Sequence, residues 1–218
     1  MTAALTSLLR RALRTVHHAL VQVNRQERLA QCMLDLILPD NSPLAILDVG
    51  CGSGQIALNL QNRLPHSQLQ GVDVLVRPDT YIPVESFDGL HLPFPDQSFD
   101  YVLLIDVLHH TMEPQQVLAE CVRVSRKAVL IKDHLCNSRW DYWRLRVADW
   151  IGNWGHGVAL PYNYLSSATW NQLYQDLKIQ PVQYRQKLQL YAALFEWLFE
   201  KTIHFSARLE RIPQGEPS

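Results

Sequence analysis

Cysteine is scarce and scattered. The 218-residue chain has four, Cys32, Cys51, Cys121 and Cys136, with no C-x-x-C pair. That argues against a cysteine zinc site, suits a reducing compartment, and leaves no metal centre to predict. Long apolar runs are missing too: none approaches the ~20 residues needed to cross a bilayer. There is no basic excess. Lys and Arg number 20 against 21 Asp and Glu, for a net charge of −1, so a nucleic-acid partner is not expected. What is present, 47% hydrophobic and 19% charged residues, is the composition of a soluble globular protein, long enough for a single domain over 1–218 with a full core.

The chain is organised around Ile46-Leu47-Asp48-Val49-Gly50-Cys51-Gly52-Ser53-Gly54. An apolar run, Leu44 to Val49, stops at three glycines in alternate positions. Ile56, Ala57, Leu60 and Leu64 then repeat on one helical face. The pattern predicts strand, tight turn, helix. Glycine permits positive φ and lets a ligand touch the backbone, and N–H groups at a helix start face the same space. The spacing is G-x-G-x-G, preceded by Asp48. A dinucleotide fingerprint would need a glycine at 55, where Gln55 stands. The stretch resembles motif I of the class I methyltransferases that use S-adenosylmethionine (SAM). That resemblance implies SAM as cofactor, held by Asp48, Gly50, Gly52 and Gly54.

Downstream, Gln68 to Val74 reads as a second strand. Asp73 lies nineteen residues after Gly54, near the place where nucleotide folds set an acid against the ribose hydroxyls. The alternative is an Asp that starts a turn. Tyr81 to Phe87 reads as a third strand and Tyr101 to Ile105 as a fourth. Between them runs Asp88-Gly89-Leu90-His91-Leu92-Pro93-Phe94-Pro95-Asp96-Gln97-Ser98-Phe99-Asp100. This run is similar to the motif II region of the type 11 class I methyltransferases. The resemblance implies that Asp88 meets the adenine amino group, that the Gly89 N–H meets a ring nitrogen, and that Leu92-Pro93-Phe94 shapes the rim. It covers residues 44–133. A helix from Glu113 to Val124 and a fifth strand from Ala128 to Ile131 continue the alternation. Strands at 180–190 and 203–209, which the resemblance implies form an edge hairpin with one antiparallel strand, complete an expected α/β fold: a doubly wound, mostly parallel seven-stranded sheet. A helix is expected over 191–201, and a frayed end from Pro213.

Residues 1–38 read as an amphipathic helix, with Leu5, Leu8, Leu9, Ala12, Leu13, Val16, Leu20 and Val23 on one face. The resemblance implies that it covers the cofactor slot. Arg10, Arg11 and Arg14 interrupt any secretory core, so a cytoplasmic location is predicted. A transit peptide and a peripheral membrane contact remain alternatives.

The expected reaction is in-line methyl transfer to a small-molecule or lipid-like acceptor. It is driven by positioning, with His109 or His110 as candidate general base because an imidazole titrates near neutrality. Both histidines follow the fourth strand, where the fold faces the transferred methyl. A packing or solvated role for either ring is the competing reading. Asp106 is a candidate for the cofactor's amino end, and Asp133 and His134 are weaker candidates. Residues 134–165 carry Trp140, Trp143, Trp150, Trp154, Tyr162 and Tyr164, with Gly152, Gly155 and Gly157. They are expected to form an aromatic substrate lid, Trp154, Tyr162 and Tyr164 foremost, or else a helix packed on the sheet. The second class of function is a non-catalytic SAM-binding regulatory or scaffold module.

Overall fold

A computed structural model describes residues 23–39, 42–153, 161–190 and 203–213. The chain runs through α1 (Val23–Leu34), β1 (Ala45–Val49), α2 (Gln55–Gln61), β2 (Gln68–Asp73), β3 (Val84–Ser86) and β4 (Phe99–Ile105). A short 3-10 turn over Leu108–His110 leads to α3 (Pro114–Val124), β5 (Ser125–His134), α4 (Arg139–Asn153), α5 (Ser167–Asp176), β6 (Ile179–Gln186) and β7 (His204–Arg211).

The seven strands form one sheet in the order β3-β2-β1-β4-β5-β7-β6. All neighbours pair in parallel except β7, which is antiparallel to both β5 and β6. The chain leaves β1 toward β2 on one side and returns to β4 on the other, so a crevice opens at the carboxyl ends of β1 and β4. β4 is buried along its whole length and feeds a core on each face. Val102 and Leu104 join Val117, Leu118, Cys121 and Val124 of α3 and Trp170 and Leu173 of α5. Tyr101 and Leu103 join Leu29, Ala30 and Met33 of α1 and Ala57 and Leu60 of α2.

Local chemistry sets the ends of these elements. Pro114 begins α3 at a position whose N–H has no helical partner in any case. Ser166 caps α5 by accepting the Thr169 N–H at 3.1 Å.

Several boundaries differ from expectation. The third strand is three residues, not Tyr81–Phe87, because Pro83 has no N–H to give a ladder. Its carbonyl still accepts the Gly71 N–H at 2.8 Å. β5 is longer than 128–131: Arg126 and Lys127 extend it by pairing with Asp100, and Lys132, Asp133 and His134 extend it while fully buried. α4 runs on through Gly152, and Trp140 and Trp143 are 64% and 59% exposed rather than packed on the sheet. β6 slips register between Pro181 and Gln183. The expected helices over 1–22 and 191–201, Trp154, Gly155 and Gly157, and the end from 214 lie outside the described residues.

Candidate active site

The three loop glycines all have positive φ, at 70° for Gly50, 60° for Gly52 and 77° for Gly54, and they have different neighbours. A Cβ on Gly54 would lie 2.4 Å from Ile82 Cγ1, and one on Gly50 would lie 2.8 Å from Val107 Cγ2. Those two positions are closed by packing. A Cβ on Gly52 would meet nothing nearer than the Arg77 guanidinium, 3.4 Å away. Gly52 is therefore the part of the loop covered only by a movable side chain.

Most of the loop's N–H groups hold the loop itself. Gly50 and Cys51 donate to Val72 O and Gly54 donates to Cys51 O, while Gly52 donates to Asp73 Oδ2 at 2.7 Å. Cys51 fills space against Gly71, where a Cβ would come within 2.4 Å of its sulfur. Burial, with nearby Asp48 and Asp73, pushes its thiol up.

The acids divide by environment. Asp48 is 3% exposed. Burial, then the charge of Asp73, raises its carboxyl to about 7. Asp73 accepts from Gly52 with one oxygen and from the Leu75 N–H with the other. The turn reading and a ligand role are thus compatible, since each carboxylate oxygen keeps a lone pair. Val74 and Leu75, 62% and 59% exposed, follow at once. Val74 Cγ1 would be 3.1 Å from a Cβ on Gly89, whose φ is 86°. Exposed apolar side chains beside a Gly backbone suit the face of a flat ring, a feature the sequence reading missed.

Asp88 is surface-exposed. It accepts the Leu90 and His91 N–H groups and pairs with the His91 ring at 2.8 Å. The His91 bonds, then the Leu90 N–H, lower its carboxyl to about 2. Leu92 is buried and Phe94 packs edge-on against Phe99 at 4.9 Å, so that run contributes to the core.

Past β4 and β5 lies a polar cluster that the sequence foreshadowed only in part. Asp106, at φ 59°, pairs with Arg25 of α1 at 2.6 Å and with the buried Lys132 ammonium. Burial opposes its ionisation, but Lys132 and Arg25 prevail and hold the carboxyl well below its ordinary range. His109 is 2% exposed, with Nδ1 2.7 Å from Asp133 Oδ1. His134 Nδ1 lies 3.2 Å from His109 Nδ1 and 3.3 Å from the same oxygen. Leu108 N–H donates to Asp133 Oδ2 and His134 N–H to Oδ1. Burial would raise Asp133, but the facing His109 outweighs it and keeps the carboxyl low. Burial, then Lys132, pushes the His134 ring below its ordinary value. His110 is half-buried, its ring centroid 4.0 Å from that of His109.

Part of the expected lid reaches this cluster. Tyr164 stacks on His109 with ring centroids 5.8 Å apart and meets Tyr142 edge-on. Tyr162 lies under the Arg146 guanidinium at 4.8 Å. Asn163 ties the segment down, giving its N–H to His109 O and its side-chain amide to Thr111 O. Residues 161–165 are thereby fixed beside the histidines.

A doubly wound sheet with a glycine loop at the β1/β4 switch point and the Asp73 carboxylate beside it is a nucleotide-type binding fold. Its G-x-G-x-G loop and antiparallel β7 are those of the SAM-dependent methyltransferases. Residues 47–131 match the family model described as a methyltransferase domain, so the chain carries a class I SAM-dependent methyltransferase domain. Demethylmenaquinone methyltransferase of Thermotoga maritima is 28% identical over 160 residues, covering 66% of this chain and 69% of that one. Ajmaline N-methyltransferase of Rauvolfia serpentina is 27% identical over 112 residues, 44% of this chain and 38% of that one. The matches span less than half the length of most of these curated relatives. A SAM-dependent methyltransferase from Aquifex aeolicus has the same fold, with a TM-score of 0.59, 15% identity, and coverage of 91% and 98% of the two chains. SAM is the cofactor of this family. The Gly52 backbone, covered only by the movable Arg77 side chain, with Asp73 beside it and the exposed Val74 and Leu75 next in the chain, suits a nucleoside with a flat base. Among the described residues, no helix is long and apolar enough to cross a membrane.

Proposed function

We propose that the protein transfers the methyl group of SAM to a small, apolar or lipid-like acceptor. The observation that carries this reading is the glycine loop. Two of its glycines are closed by core side chains, while Gly52 is covered only by the end of the flexible Arg77 side chain, beside a carboxylate. When bound, SAM supplies a methyl group activated by a positive sulfur. The chain's residues do the positioning. Asp73 accepts the ribose hydroxyls with its remaining lone pairs, each bond contributing about 1.5–3 kcal/mol. Asp88 and the Gly89 N–H read the adenine edge against Val74. Asp106, paired with Arg25 and Lys132, offers a remaining lone pair to the amino end of the cofactor.

Holding acceptor and methyl in line supplies an effective concentration of roughly 10⁵–10⁸ M. Where the acceptor must lose a proton, His110 takes it. His109 is shut in by Asp133 and Tyr164, and its ring orients that of His110. Tyr162 and Tyr164 present flat faces to the acceptor. The curated relatives named for demethylmenaquinone and ajmaline methylation support a small-molecule acceptor. The basic amphipathic pattern of residues 1–22 suits contact with a membrane surface, where a lipid-like acceptor would reside.

The experiment is a screen of a cell extract, divided into lipid and aqueous fractions, with methyl-labelled SAM and mass spectrometry of the labelled products. A labelled apolar product is expected. SAM binding without any labelled product would oppose the enzyme reading, and label in a charged polymer alone would oppose the acceptor class.

A further inference from the structure

The triangle formed by His109 Nδ1, His134 Nδ1 and Asp133 Oδ1 has sides of 2.7, 3.2 and 3.3 Å, and all three residues are less than 5% exposed. Asp106 completes a group of four whose ligand atoms lie within 4.8 Å of one another. We propose that this triangle binds a divalent transition-metal cation, zinc or ferrous iron, through two imidazoles and one carboxylate.

Charge supports the assignment. Among the described residues, Asp106 has two cations against it, Arg25 and Lys132. Asp133, more deeply buried in the same cluster, makes its direct contacts with imidazoles and backbone N–H groups, with the Lys132 charge acting on it without an ion-pair contact. Buried charges are paired or coordinate metals. A bound ion would give Asp133 a positive partner in direct contact, which among its contacts only a protonated ring otherwise supplies.

Donor geometry agrees. Ligands about 2.0–2.2 Å from zinc in a tetrahedral shell stand roughly 3.3 Å apart. Two sides of the triangle already have that length, and the third, His109 to Asp133, must open by about half an ångström. Nitrogen and carboxylate donors in a two-to-one ratio select zinc or ferrous iron over magnesium, which prefers oxygen. The carboxylate is fixed from behind by the Leu108 and His134 N–H groups. Asp106 Oδ1, 3.8 Å from His134 Nε2, lies on the far side of that ring, where an outer carboxylate orients a ligating histidine. Binding replaces the proton shared within the triangle, and that proton leaves to solvent. The ion ties the end of β5 to the turn after β4, directly beneath His110.

The site borders the residues of the methyl-transfer reading but is tested without SAM or acceptor, so the two outcomes are separable. The whole chain is purified by a route free of metal-chelating resin, and its metal content is measured by plasma mass spectrometry. About one equivalent of zinc or iron is expected. After removal of metal by chelator, one equivalent of Co²⁺ should give visible ligand-field bands and raise the Tm, while Mg²⁺ should do neither. His134→Ala and Asp133→Asn should abolish the bands. Asp106→Asn should weaken binding about 10- to 100-fold. The exposed His66→Ala should change nothing. Metal content below about a tenth of an equivalent, with no Co²⁺ bands and no Tm response in the wild type, overturns the proposal. Bands that survive in His134→Ala, or an equal response to Mg²⁺, also overturn it. The wild-type measurements decide alone if Asp133→Asn does not fold. A protein that binds SAM but no metal refutes this site and leaves methyl transfer standing.

Discussion

Substituting alanine at Gly52 and at Gly54 should separate binding from stability within one loop. Both residues sit at positive φ, so each alanine carries the left-handed penalty of about 1–2 kcal/mol. For Gly52→Ala this is the whole structural effect, because the new methyl meets only the end of the flexible Arg77 side chain at 3.4 Å. In a domain of this size it lowers the Tm by roughly 2–8 °C. The methyl also enters the space assigned to the cofactor, and overpacking there of about 1–3 kcal/mol weakens SAM by roughly five- to a hundredfold. Gly54→Ala places its methyl 2.4 Å from Ile82 Cγ1, inside the core on the α1/α2 face. The same overpacking, about 1–3 kcal/mol, then adds to the backbone term and acts on folding. The Tm should fall about twice as far as in Gly52→Ala, while the folded fraction binds SAM with less loss. Urea denaturation and calorimetric titration on the same preparations measure both quantities. If Gly52→Ala keeps full affinity, or if Gly54→Ala is the more stable of the two, the division of the loop into an open and a packed part is wrong.

Asp73→Ala should weaken SAM about ten- to a hundredfold and also lower the Tm, since the Gly52 and Leu75 N–H groups lose their acceptor; unchanged affinity by calorimetry leaves Asp73 a turn residue only. Asp48 should leave a pH signature. Its folded-state carboxyl near 7 exceeds the ordinary value of about 3.9, so its contribution to stability is present below about pH 4 and is lost as the pH rises toward 7. Asp48→Asn should lack that slope, and identical slopes for both proteins in urea titrations between about pH 4 and pH 8 would contradict the burial argument. Tyr162→Ala and Trp154→Ala should bind SAM normally yet transfer methyl more slowly, at least about tenfold if the aromatic faces position the acceptor. Normal transfer per folded molecule by both variants would remove the lid assignment.

The strand-turn-helix at Gly50–Gly54 was legible because its signals are local: an apolar run, a glycine spacing and a 3.6-residue period. The polar cluster was legible only in fragments. His109 and Asp133 are 24 residues apart, and they meet because β4 and β5 pair in parallel with Ile105 opposite Lys132. No sequence window contains that register. Lys132-Asp133-His134 reads as the polar end of a strand, yet all three are buried because they neutralise Asp106 and one another. The same limit hid Asn163, whose bonds to the 109–111 segment fix the aromatic residues beside the histidines. The short third strand was overextended for the opposite reason: β-type residues from Tyr81 to Phe87 satisfy the pattern, but Pro83 cannot donate to a ladder.

The two outer strands of the sheet also govern how copies of the protein can meet. An open edge with free N–H and carbonyl groups is a template on which another chain can add a strand, the first step toward domain swapping or fibrils. Here one edge is β3, only three residues long. The other is β6, interrupted by Pro181 and a register slip and carrying Arg185 near its end. Neither presents an unbroken row of backbone donors and acceptors to a neighbour. Self-association at high concentration should therefore proceed through side-chain surfaces and be reversible by dilution, without the rise in thioflavin fluorescence that marks growth by strand addition.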